Sequence, residues 1–414
     1  MKKVLIICDL FPPAFGPRMG YLCKYLMEYG WEPTVVTEDV PGNTFAFLAE
    51  GCRVVRVRFF TAKNRFLRKL QWVFTLILDL LWGYKDMKMY RKAEKIAKET
   101  RFNAVLCSSF RTFPLPAALK VAQKNHLPLV VDLRDIFEQY TNDEFMSHRL
   151  PNIFGLNSLY VSFFKRKSLR ERNRVLKAAS RVTTVSPWHV KMLKQYNPNV
   201  ELIYNGFDPE LFHPEEIRTD KFVITYTGRL ISTAMRNPEL LFKALRTLAD
   251  KGIISDTVCR VHWYVDAESQ ELIASEAEKM GVLSFMDFKG YVEASRIPSV
   301  LNHSSVLLLL TNLSKGNGPK GIMTTKFFEA LAVEKPILCV RSDEDCLEAA
   351  LKETNAGVAA RTEEEACHFL EECFTEWKEK GYTTSHINKE TLKSYSRREQ
   401  AGQFQRIFET ITTR

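Results

Sequence analysis

The sequence of 414 residues lacks several patterns that would place it in a familiar class. No stretch reaches the roughly 18 to 20 apolar residues that span a bilayer as a helix. No GxSxG motif is present, which argues against a serine hydrolase with a nucleophile elbow. The nine cysteines form no CxxC pair and have no ligand spacing with histidine, so no metal site is predicted. The first ten residues carry no signal-peptide cleavage pattern, so we expect a cytoplasmic protein with reduced cysteines.

Composition indicates a globular protein with an anionic partner. Hydrophobic residues make up 45% and charged residues 26% of the chain, which excludes disordered and fibrous classes. Since single cores rarely grow past about 250 to 300 residues, two domains are expected. The formal net charge of +10 favours a nucleotide, a phospholipid surface or nucleic acid as partner. Nucleic acid is the weakest of the three because no recognition motif accompanies the basic stretches.

The first residues predict a parallel sheet covered by helices. An apolar strand at residues 4–8 is followed by a Pro-rich loop with Gly16, and helical periodicity begins near Arg18. Strand and helix then alternate, which is typical of a doubly wound sheet whose ligands lie at the carboxyl ends of the strands. The loop that contains Gly16 has no GxGxxG, so a dinucleotide-dependent dehydrogenase is poorly supported.

Polar residues follow two further predicted strands of the first half. One strand ends at Ser109, with Arg111 two residues later, and another ends with Arg134 and Asp135. Both ends are expected to face a ligand. Asp135 is either a general base or the local ion-pair partner of Arg134. Residues 182–185 are interpreted as the last strand of this half.

Two basic stretches carry aromatic residues. Arginines and lysines from residue 53 onward precede an apolar run at residues 72–84, and a second basic stretch occupies residues 165–181. One interpretation is a membrane-surface helix anchored by Trp72 and Trp82 and flanked by cations. The alternative is that residues 72–84 form a core helix and that residues 165–181 form a solvated helix face.

A glycine-bearing loop precedes the strongest candidate for an anion site. It follows the apolar run of residues 306–310, and Gly316, Gly318 and Gly321 allow the backbone to approach a ligand closely. Thr324 or Thr325 is predicted to cap the helix that follows. The N–H groups at that helix terminus favour an anion.

The residues of that helix also carry a family resemblance. The segment KFFEALAVEKPIL resembles the donor-site segment of retaining glycosyltransferases of family 4, with matches at Lys326, Glu329, Leu331, Ala332 and Pro336. Asn205-Gly206-Phe207-Asp208 is similar to the interdomain crossover of that family, and Gly228-Arg229-Leu230 to its Gly-Arg-Leu junction. Arg236 stands near the position of a family lysine. Gly321 departs from the pattern, since many members have a second Glu there.

The resemblance implies an α/β fold with two Rossmann-like domains that face a cleft (GT-B): residues 1–200 on the acceptor side, residues 201–394 on the donor side, and a helix within residues 395–414 that packs back on the first domain. It implies sugar transfer from a nucleotide diphosphate sugar to a sugar or lipid-linked acceptor, with retention, in cell-surface polysaccharide or glycolipid synthesis. No cofactor and no metal are expected.

The resemblance also implies roles for individual residues. The implied catalytic residues are Arg229, Arg236 and Lys326. The implied donor-binding residues are Gly16, Arg18, Gly228, Tyr291, Gly321, Thr324, Thr325 and Glu329. The implied acceptor-side residues are Ser109, Arg111, Arg134 and Asp135.

Glu329 would then hold ribose hydroxyls, although from local sequence alone it could merely favour the helix dipole. The rival hypothesis is a scaffold protein of the same fold that lost part of its donor site at Gly321. A third hypothesis is an epimerase or phosphorylase of this architecture. We expect the protein at the inner face of the cell membrane if the basic and aromatic stretches bind lipid, and otherwise free in the cytoplasm.

Overall fold

The computed structural model describes residues 1–60, 64–140, 156–233, 236–311, 321–340 and 345–413. The chain divides into two compact units. Unit 1 contains Met1–Tyr204 and Arg397–Arg414, and unit 2 contains Asn205–Ser396. Each unit has its own parallel sheet and its own core.

Unit 1 is a doubly wound sheet of seven parallel strands in the order β3-β2-β1-β4-β5-β6-β7. Its strands are β1 (Lys2–Cys8), β2 (Trp31–Glu38), β3 (Arg53–Val57), β4 (Ala104–Ser109), β5 (Leu129–Leu133), β6 (Arg181–Thr184) and β7 (Val200–Leu202). Its helices are α1 (Pro17–Leu26), α2 (Arg65–Trp82), α3 (Tyr84–Glu99), α4 (Leu115–Lys124), α5 (Leu156–Ala178), α6 (Pro187–Leu193) and α14 (Arg397–Thr412). The interpretation of residues 182–185 as the last strand is wrong, because β7 pairs in parallel with β6.

Unit 2 has six parallel strands in the order β10-β9-β8-β11-β12-β13. They are β8 (Phe222–Thr227), β9 (Cys259–Tyr264), β10 (Met286–Phe288), β11 (Val306–Leu310), β12 (Ile337–Val340) and β13 (Gly357–Ala360). The helices are α7 (Glu239–Asp250), α8 (Ala267–Lys279), α9 (Ile297–Asn302), α10 (Thr325–Ala332), α11 (Asp345–Thr354), α12 (Glu363–Lys380) and α13 (Lys389–Ser394). The predicted α/β class with two doubly wound sheets is confirmed.

Strand order places one ligand-binding edge in each unit. In both sheets the order reverses beside the first strand of the unit, between β1 and β4 in unit 1 and between β8 and β11 in unit 2. Ligands of doubly wound sheets bind outside the carboxyl ends of the strands at such a reversal. The residues that follow these four strands are therefore the first candidates for a site.

The C-terminal helix α14 is part of the core of unit 1. Its buried Phe404 and Phe408 pack in one cluster with Met19 and Leu22 of α1. The Phe408 ring lies 5.0 Å from the ring of Trp31. This apolar face explains why the last helix folds with the first residues of the chain.

Arg18 has a structural role that differs from the predicted contact with the donor. Its side chain is only 4% exposed, and its Nε and Nη2 donate to the two oxygens of Asp132 at 3.0 and 2.9 Å. Nη1 and Nη2 also donate to the carbonyls of Tyr204 and Ile203 at 2.7 and 2.9 Å. Burial opposes ionisation of Asp132, but Arg18 and two hydroxyl donors hold the pKa of this carboxyl below its ordinary value. Arg18 therefore belongs to the interior of unit 1.

Arg18→Met should lower the free energy of unfolding by about 3 to 5 kcal/mol, because it leaves the charge of Asp132 buried without its cation. Urea denaturation followed by circular dichroism measures this. Arg53→Met serves as the control, since Arg53 pairs with Glu99 at the surface and its loss should cost at most about 1 kcal/mol. If the Arg18→Met variant has normal stability but reduced nucleotide affinity, the predicted donor contact is supported instead.

Candidate functional site

The carboxyl end of β8 in unit 2 places Gly228 against the amine of Lys326. Gly228 has φ +111°, and a Cβ there would lie 2.2 Å from Lys326 Nζ. Only glycine allows so close an approach at this backbone conformation. The junction after β8 and the helix α10, which lie about a hundred residues apart in sequence, thus form one site.

Lys326 is a partly buried cation with a strongly shifted pKa. Its Nζ lies 4.6 Å from the centre of the Tyr226 ring and 3.3 Å from the Tyr226 hydroxyl. Burial, with a smaller effect from the charge of Arg236, lowers the pKa of Lys326 to about 7, while Glu329 opposes the shift. An anion beside Nζ would favour the charged ammonium, since an opposite charge raises the pKa of an amine. Lys326 is thus suited to bind a phosphate group.

The N-terminus of α10 adds backbone donors to this site. The helix begins at Thr325 and Thr324 occupies the N-cap position, but its side chain makes no capping hydrogen bond. Thr324 thus occupies the predicted N-cap position, but it does not make the predicted capping hydrogen bond. First-turn N–H groups without a side-chain cap remain able to bind an anion, and the helix dipole favours one. Glu329 lies one turn further along the same helix face as Lys326.

Arg229 and Arg236 follow β8, and both make contacts within this loop region. The Arg229 side chain is 76% exposed, and its Nε pairs with Asp266 Oδ2 at 2.8 Å. Asp266 is the N-cap of α8 and accepts a hydrogen bond from Ser269 N. Arg236 Nη1 donates to the Arg229 carbonyl, which also accepts the Tyr226 hydroxyl at 2.9 Å. Arg229 is thus exposed and paired, whereas Arg236 lies close enough to influence the charge of Lys326.

Two glycines shape the other loops at this edge. Gly321 has φ +69°, a left-handed conformation that a glutamate adopts only with strain. The family position that often holds Glu therefore has a backbone that favours glycine in this chain. Gly290 has φ +72° after β10, and Tyr291 is 80% exposed. Gly316 and Gly318 lie outside the described residues.

In unit 1 the equivalent edge centres on Asp9, which the sequence analysis missed. Asp9 follows β1 directly and is 6% exposed. Its Oδ1 accepts Arg134 Nη2 at 3.1 Å and Leu10 N at 2.9 Å. Its buried Oδ2 has no hydrogen-bond partner among the described residues. Burial raises the pKa of Asp9 to about 6, although Arg134 opposes the shift.

The four predicted acceptor-side residues lie at this edge, with different partners from those expected. Ser109 Oγ donates to the Phe113 carbonyl at 2.6 Å and accepts Arg111 N at 3.0 Å. The guanidinium carbons of Arg111 and Arg134 lie 4.5 and 5.7 Å from the centre of the Phe110 ring. Asp135 accepts Gln139 Nε2 at 3.0 Å. The expected ion pair of Arg134 with Asp135 is therefore wrong, because Arg134 pairs with Asp9.

Gly16 begins α1 from the left-handed region, with φ +83°. A Cβ at this position would lie 2.5 Å from the Leu10 carbonyl oxygen. The glycine thus allows the loop after β1 to fold back on itself next to Asp9. Among the described residues, Gly16 thus determines the shape of the loop.

A cavity of about 1060 Å³ opens beside Asp9 within unit 1. Its wall includes Arg111 and side chains of α2, α3, α4 and α5. Burial raises the pKa of Asp86 in this wall to about 8, with Asp79 adding to the shift, so Asp86 is mostly neutral at pH 7. The cavity is large enough for a small ligand.

Within the described part of the chain, no three or more His, Cys, Asp or Glu side chains are placed to hold a metal ion. All nine cysteines are free thiols. Burial lowers the pKa of His262 to about 4, so this histidine is neutral at pH 7 and contacts Asp287 at 3.3 Å.

Comparison with known proteins identifies the fold and a family match in the first half of the chain. Residues 18–211 match the model of Glycosyltransferase Family 4. A search of curated proteins found no match. Among solved structures, Anabaena HepE in complex with UDP is similar with a TM-score of 0.65 at 15% identity, covering 99% of this chain and 100% of that chain.

Two further structures show the same architecture. A glycosyltransferase from Rickettsia africae has a TM-score of 0.62 at 14% identity, covering 99% of this chain and 98% of that chain. Sucrose-phosphate synthase from Thermosynechococcus elongatus has a TM-score of 0.63 at 12% identity, covering 100% of both chains. The two sheets and these neighbours define a sugar-transferase fold of the GT-B type. Over residues 18–211 the family match confirms the resemblance to glycosyltransferases of family 4.

The left-handed backbone at Gly321 predicts that restoring the family glutamate destabilises the protein. Gly321→Glu and Gly321→Ala should each lower the free energy of unfolding by about 1 to 2 kcal/mol in urea denaturation. Gly321→Asn is the matched control and should lose less, because asparagine tolerates this region better. A Gly321→Glu protein as stable as the parent would show that φ at this position is not constraining.

Proposed function

We propose that unit 2 binds a nucleotide diphosphate sugar with its diphosphate at Lys326 and the N-terminus of α10. The observation that carries this proposal is the desolvated Lys326 amine, with a pKa near 7, beside Gly228 and a helix start without a side-chain cap. The site lies where the strand order of the second sheet reverses, which is the expected position for a nucleotide. The HepE structure contains UDP, so a uridine diphosphate sugar is the first donor to test.

In the proposed reaction the bond between the anomeric carbon and the diphosphate oxygen breaks, and its electron pair leaves with the diphosphate. The acceptor hydroxyl oxygen forms the new bond to the anomeric carbon, and its proton moves to a basic oxygen. The resemblance to family 4 implies retention of configuration. Lys326, Arg236 and the α10 N–H groups stabilise the charge that develops on the leaving diphosphate. We propose that these protein cations act without a metal ion.

Glu329 is assigned to the ribose of the donor. It shares a helix face with Lys326, and its charge acts on that amine. A carboxylate accepts hydrogen bonds from vicinal hydroxyls, whereas it repels phosphate oxygens. Glu329 is therefore suited to bind the ribose hydroxyls next to the diphosphate. Tyr291 and the backbone at Gly290 are proposed to border the base.

Calorimetric titration with UDP-glucose in EDTA tests the donor site. Lys326→Gln should weaken binding roughly ten- to a hundredfold, because it removes a charge-assisted contact. Glu329→Gln should weaken binding of UDP-glucose but not of pyrophosphate. Lys352→Gln, an exposed lysine paired with Glu348, is the control and should bind normally. If Lys326→Gln binds like the parent, or if binding requires added Mg²⁺, the assignment is wrong.

Proton uptake gives an independent measurement of the same site. Because the free protein holds the pKa of Lys326 near 7, most of its amine is neutral at pH 8.5. A bound diphosphate favours the ammonium, so the parent should take up close to one proton on binding at this pH. The uptake should disappear in Lys326→Gln when titrations are compared in buffers of different ionisation enthalpy.

We further propose that unit 1 binds the surface of an anionic membrane through α2 and α5. No helix in the described ranges is both long and apolar enough to cross a bilayer. Along α2, however, large apolar side chains are exposed at helical spacing: Phe66, Leu70, Val73, Phe74, Ile77 and Leu81. This exposure supports a surface helix rather than the alternative of a core helix.

The exposed face of α5 supplies the complementary charge. Leu159 and Phe163 are followed at helical spacing by exposed basic residues, namely Arg166, Arg170, Arg174 and Lys177. Lys167 Nζ donates to carbonyls at the end of α2, so the two helices meet there. Arg172 is an exception to the predicted basic face, since it is buried and pairs with Glu138 at 2.7 Å.

An apolar helix face beside a basic one is typical of proteins that lie on anionic lipid. This supports a peripheral position at the inner face of the cell membrane and a lipid-linked acceptor in polysaccharide or glycolipid synthesis. The nine free cysteines agree with a reducing compartment.

Co-sedimentation with vesicles tests the membrane surface. Binding to anionic vesicles should weaken about fivefold for each charge removed in Arg170→Gln and Arg174→Gln, and high salt should weaken it in the parent. Phe74→Ser with Ile77→Ser should weaken it at every salt concentration. Phe47→Ser, an exposed aromatic outside both helices, should bind like the parent. Equal binding to neutral and anionic vesicles would contradict the role of α5.

A further inference from the structure

Two cysteine thiols of unit 1 contact each other beside the connection between β2 and β3. Cys23 lies on α1 and is 2% exposed, in a buried cluster with Leu22 and Leu48. Cys52, the residue before β3, is partly exposed and packs against the same cluster. Both are free thiols, and a side-chain hydrogen bond joins them. A buried thiol and an accessible one therefore lie side by side.

The surroundings of the pair make Cys52 the more reactive thiol. The hydrogen bond from the Cys23 thiol lowers the pKa of Cys52, although partial burial opposes the shift. Burial raises the pKa of Cys23 well above its ordinary value, and the contact with Cys52 adds to the shift. Because the thiolate is the form that attacks an oxidant, Cys52 should react first.

Two other cysteines provide comparisons. Cys8 is close to the pair but lies on β1 and is fully buried, and burial raises its pKa to about 12. A thiol with so high a pKa is a poor nucleophile at neutral pH. Cys346 on α11 is partly exposed, as Cys52 is, and provides a comparison at similar exposure.

The backbone next to Cys52 allows the movement that a bond between the two sulfurs needs, since bonded sulfurs lie only about 2 Å apart. Gly51 has φ +106°, and a Cβ there would meet no atom within 4 Å. The connection before Cys52 already packs closely on α1, because a Cβ on Gly20 would lie 3.1 Å from Leu48 Cβ. A disulfide would thus tie this connection to the helix.

We propose that Cys23 and Cys52 form a reversible disulfide when hydrogen peroxide is present. The Cys52 thiolate attacks one peroxide oxygen, so an S–O bond forms, the O–O bond breaks, and the departing hydroxide takes a proton to become water. The Cys23 sulfur then attacks the Cys52 sulfur: the S–S bond forms, the S–O bond breaks, and a second water leaves. The two thiols lose two electrons and two protons, and the peroxide is reduced to two water molecules. This modification site is separate from the proposed donor site of unit 2.

Peptide mapping after treatment of the folded protein with hydrogen peroxide tests the pair. Trypsin cleaves after Lys24, which puts Cys23 and Cys52 in separate peptides. Mass spectrometry under non-reducing conditions should find these two peptides joined in most molecules, and dithiothreitol should separate them. The proposal is overturned by a link to Cys8, by a link between two protein molecules, by sulfinic acid at Cys52 without a link, or by two unmodified thiols.

Variants separate the two roles of Cys23. Cys23→Ser keeps a hydrogen-bond donor but removes the second sulfur, so Cys52 should stop at the sulfenic acid, which dimedone traps. Cys23→Ala also removes the donor and should slow alkylation of Cys52 by iodoacetamide about threefold relative to Cys23→Ser. Equal rates in these two variants would contradict the activation of Cys52 by Cys23. Cys346→Ser should form the disulfide as the parent does. If either Cys23 variant melts below the parent, the peptide map of the parent decides the matter.

Hydrogen exchange measures what the bond does to the fold. In the peroxide-treated parent, backbone exchange over residues 39–52 should be slower than in the reduced parent, because the connection is tied to α1. Peroxide treatment of Cys52→Ser should leave exchange in this segment unchanged. Unchanged exchange in the linked parent would overturn the restraining role of the disulfide.

Discussion

The buried carboxylate of Asp132 is the interaction on which the edge of unit 1 depends. It sits on β5 and accepts hydrogen bonds from Arg18 on α1, Ser108 on β4 and Thr183 on β6. Because a buried charge is tolerated only when it is paired and hydrogen-bonded, these elements must keep their register. The same register brings Asp9, Ser109 and Arg134 to one edge. A stability requirement in the sheet interior thus positions the residues at its carboxyl end.

The candidate site of unit 2 depends on a desolvated amine and not on a paired carboxylate. Lys326 is packed over Tyr226 and against Gly228, where the charged amine is poorly solvated. The resulting low pKa represents free energy that an anionic ligand can recover when it restores the charge. The open N-terminus of α10 contributes further backbone donors without adding a side chain. The proposed binding of an anion at this site would therefore draw on groups that are unfavourably placed in the free protein.

Several features of the fold and site could be predicted from the sequence. The strand runs before Asp9, Ser109 and Gly228 stand out because buried parallel strands are continuous apolar stretches. Lys326 and Glu329 were found through the family pattern and helix spacing. Asp9 was missed although it directly follows such a strand, and β7 was missed because a strand of three residues carries almost no periodic signal.

Other predictions failed because neighbours in sequence were not neighbours in contacts. Arg134 and Asp135 are adjacent in the chain, but successive residues after a strand point in different directions, and Arg134 reaches Asp9 instead. The resemblance implied that Arg18 binds the donor, and in the structure its guanidinium is buried at Asp132.

The sequence by itself determined the class of fold, the alternation of strands and helices, and the start of helix α10 after a glycine-bearing loop, since these depend on local periodicity and backbone chemistry. Only the tertiary structure decided which charges are paired, which are desolvated and which surround a cavity. Pairing and desolvation depend on the distances between segments far apart in the chain, as between Asp9 and Arg134 or Gly228 and Lys326. Local sequence carries no information on those distances.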